Sequence, residues 1–138
     1  MHLLSENGLW KTESEFITPE GNITKATGES KIELHNGIIY NHSFVILKNE
    51  KICNDYEIKK KKENHYVYES RNPGLGIQIG TFDIDRNIIY SKFIIENTKY
   101  NGFEIIERVD RNCFAHGALY EGTSLINTWR AKMTKSYG

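Results

Sequence analysis

The side chains in this chain that could do chemistry are scattered, and they form no short motif. Five histidines stand at His2, His35, His42, His65 and His116, and no two have the spacing of a zinc motif. Neither Cys53 nor Cys113 has a His or Cys two or four residues away, so no metal site is expected. No serine lies in a nucleophile-elbow pattern. Gly74-Leu75-Gly76-Ile77-Gln78-Ile79-Gly80 is glycine-rich but lacks the Lys-Ser/Thr of a phosphate loop and runs into an apolar segment. No cofactor is implied. Acid/base chemistry and recognition remain. The acid/base candidate is His42 or His116 paired with Glu104, a couple that would need burial to tune it. The recognition candidate is a wall of Tyr, Phe and Ile with a few polar groups to orient a ligand. The one charge run, Lys59-Lys60-Lys61-Lys62, reads as a solvated turn, or else as a docking patch for an anionic ligand.

Composition narrows the classes. The chain has 138 residues, with 18 Lys plus Arg against 18 Asp plus Glu. That length fits one domain, 1–138, able to bury a core without metal or disulfides. Zero net charge argues against a nucleic-acid binder and weakens self-repulsion, which leaves a homodimer open. No apolar run reaches the roughly 20 residues of a membrane helix. The start, Met1-His2-Leu3-Leu4-Ser5-Glu6, has no basic n-region or long apolar core. A cytoplasmic protein with two reduced thiols is therefore expected.

The elements that must position these side chains are short and bounded by turns. Asn7-Gly8, Asn36-Gly37 and Asn101-Gly102 have hairpin-turn chemistry. Pro19-Glu20-Gly21-Asn22 and Arg71-Asn72-Pro73-Gly74 are longer turn clusters. Between turns lie ten segments rich in Ile, Val, Tyr, Phe and Thr, at 8–17, 23–34, 37–48, 51–60, 64–70, 75–84, 88–96, 102–110, 113–121 and 124–133. Residues 1–7 read as an arm or a short helical turn. Alternation sorts faces. Trp10, Thr12, Ser14 and Phe16 oppose Lys11, Glu13 and Glu15, and Trp129 and Ala131 oppose Thr128, Arg130 and Lys132. Glu104 shares a face with Arg108. The expected ligand-binding residues are Tyr40, His42, Phe44, Tyr56, Tyr68, Phe93, His116 and Tyr120. A filled core with His and Tyr outside is the plainer alternative. Ten meandering strands hide their edges best by closing, so the fold class is all-β, a single antiparallel up-and-down barrel of about ten strands.

Gly8-x-Trp10 on the first strand and Arg130 on the last resemble the calycins, the superfamily of lipocalins, fatty-acid-binding proteins and nitrobindin-like barrels. The resemblance implies that Trp10 plugs a closed end with Arg130 lying across it, held by a cation–π contact and hydrogen bonds to the opening turn. It also implies a lumen. It assigns no subfamily: only a turn follows the first strand, so lid helices are lacking, and Lys11-Thr12 stand where nitrobindin-like proteins carry further glycines. A haem ligand at His116 would follow only from the nitrobindin-like resemblance. The function expected is a binding protein holding a small, mainly apolar molecule in the lumen. The alternatives are a barrel enzyme (isomerase, cyclase or lyase) using a lumen His or Glu, and a structural or interaction module.

Overall fold

A computed structural model describes residues 1–136. Among them, ten strands form one closed antiparallel barrel. They are β1 (Gly8–Ile17), β2 (Ile23–His35), β3 (Ile38–Leu47), β4 (Glu50–Lys62), β5 (His65–Asn72), β6 (Gly76–Asp85), β7 (Ile88–Ile95), β8 (Tyr100–Val109), β9 (Asn112–Glu121) and β10 (Ser124–Lys135). Each strand pairs with its sequence neighbours, and β1 closes on β10 from Trp10 opposite Lys135 to Ile17 opposite Thr128. No edge is left for another chain to extend. The all-β class and the meander are as the sequence predicts. No helix of the described residues is long and apolar enough to cross a membrane.

Turn chemistry explains most of the hairpins. Asn36 and Gly37, and Lys48 and Asn49, have positive φ, the backbone of a primed two-residue turn. Two expected turns are corrected. Gly8 opens β1, and Asn101-Gly102 lies inside β8. Gly102 is there for space: a Cβ would come within 2.5 Å of the Phe93 ring. Asn97, at φ 61°, does the turning instead.

The two ends of the barrel are built differently. At one end a single 3-10 turn, Leu3–Ser5, folds under the strands. It drives Leu3 and Leu4 inward beside Trp10, Ile32, Ile58, Ile89, Cys113 and Met133, all buried. Burial among these groups pushes the Cys113 thiol up to about 12, so it packs as a small apolar residue. The expected partner of Trp10 is corrected as well. The guanidinium over its ring, 5.1 Å from the centroid, belongs to Arg108. Arg108 also donates to the Glu6 carboxylate at 2.9 Å, to the His2 carbonyl at 3.3 Å and to the Asp110 carbonyl at 3.0 Å. Lys135 adds a second cation on Glu6. Arg130 is outside the barrel and binds Glu15 through Nε and Nη2 at 3.0 and 2.8 Å. Strand alternation forces this: Trp129 points inward, so its neighbour cannot.

Candidate ligand-binding cavity

The other end is open. Above the Trp10 layer lies a cavity of about 550 Å³, within the roughly 300–1,000 Å³ of pockets that take drug-sized ligands. Phe16 on β1, Tyr56 on β4, Tyr68 on β5, Phe82 on β6, Phe93 on β7 and Trp129 on β10 supply its aromatic wall. The rings support one another. Tyr68 stacks on Phe82 with centroids 4.5 Å apart, Tyr56 tilts against Tyr68 at 5.4 Å, and Phe16 lies 6.3 Å from Trp129. Trp129 has room only because β9 carries Gly117 beside it, where a Cβ would meet the indole at 2.2 Å.

Polar groups are set into this wall. Gln78 Nε2 donates to the Tyr68 hydroxyl at 2.9 Å, and Asn72 Nδ2 donates to Asn54 Oδ1 at 2.9 Å. Asn72 Oδ1 in turn accepts from the backbone N–H groups of Gly74 and Leu75, fixing a turn at the mouth. Ser14 Oγ, Asn41 Oδ1 and Asn127 Oδ1 are buried without a partner; an unpaired buried polar atom is costly. The carboxylate of Glu104 is the one acid on the wall among the described residues. Trp129 Nε1 donates to its Oε2 at 2.7 Å. Burial raises the Glu104 carboxyl above the ordinary carboxylate range, and the indole hydrogen bond opposes that only in part. Burial likewise pushes Tyr68 up to about 12 and Tyr56 higher still, with the Glu104 charge adding to both. All three phenol and carboxyl groups therefore face one electrostatic space.

The expected lining residues divide. Tyr56, Tyr68 and Phe93 line the cavity. Phe44 borders it from a strand position whose ring carries Lys51 Nζ 4.3 Å from its centroid. Tyr40, His42, His116 and Tyr120 are corrected to the outside face. Tyr40 and His42 stack there, and His42 Nδ1 lies 2.9 Å from Asp55 Oδ1. His116 is exposed beside Arg130 and Ile105. Neither can pair with Glu104 inside, and none of the five histidines lines the cavity. Inward positions on β3 belong to Ile39, Asn41, Ser43 and Val45, and on β9 to Cys113, Ala115, Gly117 and Leu119. Alternation gives the two faces of a strand without saying which is in. On β3 the face carrying Tyr40 and His42 is the outer one, and Asn41 and Ser43 line the cavity. On β9 the small inward residues make room for Trp129.

A solved protein shares this shape. The barrel superposes on the crystal structure of Rv2717c from M. tuberculosis with a TM-score of 0.72 at 8% identity, covering 94% of this chain and 92% of that one. At that identity the likeness is one of fold. No protein-family model matches the sequence, and no curated protein matches it.

Proposed function

We propose that this barrel is a calycin-like binding protein that holds one small, mainly apolar molecule in its lumen. The observation carrying this is the cavity itself: it is open at one end and sealed by Trp10 at the other, and aromatic and aliphatic side chains wall it with a few orienting polar groups. A ligand of about 20 heavy atoms at about 0.3 kcal/mol per atom would bind with roughly 6 kcal/mol, a Kd of tens of micromolar. Native mass spectrometry of freshly purified protein, then denaturation and small-molecule analysis, tests this. A stoichiometric apolar molecule is expected. Ala131→Phe, which places a ring in the lumen, should lose that molecule and keep the β-sheet circular dichroism; retention of the molecule by this variant would place the ligand elsewhere.

An interaction module is the second reading, and one observation favours it. Ile79, Ile94, Phe103 and Ile105 are exposed together on the outer face of β6–β8, a patch a second copy could cover. The same native spectrum reads it: a dimer dispersed by Phe103→Lys would support this reading. A barrel enzyme would have to work through Glu104, the carboxyl that meets the cavity.

A further inference from the structure

Glu104 is poorly served by its own protein. Trp129 Nε1 is the only donor to its carboxylate among the described residues, and no cation pairs with it. The cations near the barrel axis are engaged elsewhere. Arg108, on the same face of β8, is held by Glu6, two carbonyls and the Trp10 ring. Lys135 is on Glu6 as well. Lys48, at the mouth, is the one cationic residue among the described residues bordering the cavity. A carboxylate enclosed without a counter-charge is held at high cost unless it takes a proton or meets a cation. The rings of Trp129, Tyr56, Tyr68, Phe82 and Phe93 line the same cavity, and aromatic rings attract an ammonium group. Apart from Glu104 and Lys48, the polar side chains lining the cavity among the described residues are neutral.

We propose that the lumen selects an organic cation, a protonated amine carried on an apolar or aromatic body, with the Glu104 carboxylate as its counter-ion and the aromatic wall as its cage. This deepens the lumen-binding reading above and rests on it. The order of preference follows from charge. An amine supplies the missing counter-ion. An alcohol offers one neutral hydrogen bond. A carboxylate of the same length brings a second anion beside Glu104 with no cation between them.

The test uses a matched series, n-octylamine, n-octanol and octanoate, titrated into the ligand-free full chain by isothermal calorimetry at pH 7.5, with tryptophan fluorescence as a second readout. Octylamine is expected to bind about tenfold tighter than octanol, the usual margin of a charged over a neutral hydrogen bond, and octanoate weakest. Glu104→Gln keeps an acceptor for Trp129 Nε1, and should weaken octylamine far more than octanol, bringing the two to a similar level. The wild type carries an independent readout that needs no variant. The groups facing Glu104 from the packed strands are Ser91, Gly117 and Trp129, with Tyr56 and Tyr68 across the lumen, and of these only the phenols titrate, far above neutrality. Octylamine affinity should therefore fall as the pH is lowered and Glu104 takes up its proton, while octanol affinity changes much less. Equal binding of the three probes, or an amine preference that survives in Glu104→Gln, would overturn the proposal and leave the lumen reading standing. Failure of all three to bind would sink both.

Discussion

Two carboxylates, one under the closed end of this barrel and one within its lumen, are treated in opposite ways. Glu6, under the closed end, receives Lys135 and Arg108, and these hydrogen bonds hold it below the ordinary carboxylate range. Glu104, in the middle of the lumen, receives one neutral indole, and burial holds it above that range. The same contrast runs through their surroundings. The closed end pairs its charges and packs its apolar groups to near-zero exposure. The lumen wall leaves Ser14, Asn41 and Asn127 with orphaned oxygens, against one orphaned N–H, Trp10 Nε1, at the closed end among the described residues. Apart from that indole, the closed end is finished by its own side chains. The other has the marks of a structure completed by something it holds, since groups left unpaired in a native interior point to a partner from outside.

The largest way to break this comparison is at the plug. Trp10 is fully buried, and Trp10→Ala should cost about 3–5 kcal/mol in urea or guanidinium unfolding, through lost burial and the cavity left behind. A loss under about 1 kcal/mol would mean that the closed end contributes no more than the lumen. Arg108→Met comes next. It removes the cation over the indole and the donors to the 3-10 turn, while leaving an apolar stem in place. The expected cost is about 2 kcal/mol, the scale of a desolvated cation–π contact with its hydrogen bonds.

Glu104→Gln should act in the other direction, and its sign depends on pH. A carboxyl whose folded pKa is raised binds its proton more tightly in the native state, so its effect on stability is favourable at acid pH. That effect is lost as pH rises from the unfolded value of 4.5 through the raised folded one. The variant should therefore unfold at a higher denaturant midpoint than the wild type at pH 8, and the two midpoints should meet near pH 4. Glu6→Gln should do the reverse. A lowered carboxyl contributes above its unfolded pKa and loses that contribution as pH falls, so the variant should be the weaker protein at pH 8 and draw level only in acid. Parallel pH profiles for the two variants would erase the contrast between the ends.

How much of this was legible follows from what alternation encodes. A period of two finds strands and separates their faces, and turn residues such as Asn36-Gly37 find the joints; these give the ten strands, and the need to hide two sheet edges gives their closure. The inward face of β1 was also legible, because Lys11, Glu13 and Glu15 leave Trp10, Ser14 and Phe16 no other side. On β3 and β9 both faces are mixed. There the size of a side chain misleads, since a binding lumen asks for small and polar residues where a filled core asks for large ones. Asn41, Ser43 and Gly117 carry the space, and Tyr40, His42 and His116 decorate the exterior. Glu104 stood out as a candidate acid, but its pairing with Trp129 joins strands that are not adjacent, which no local pattern reports.

Arg130 gives the smallest expected effect and the sharpest use of the comparison. A basic residue on the last strand after a Gly-x-Trp opening invites the reading that it crosses the indole. The barrel gives that position to Arg108, because β10 reaches Trp10 at Lys135 while Arg130 sits opposite Glu15 on the outer face. Its ion pair with Glu15 is solvent-facing, with the Arg130 side chain 58% exposed, and exposed pairs contribute roughly 0–1 kcal/mol. Arg130→Ala should thus shift the unfolding midpoint by less than about 0.5 kcal/mol, and that small shift should shrink further in 0.5 M salt as the pair is screened. A loss as large as that of Arg108→Met would return Arg130 to the plug and move the register of β10 with it.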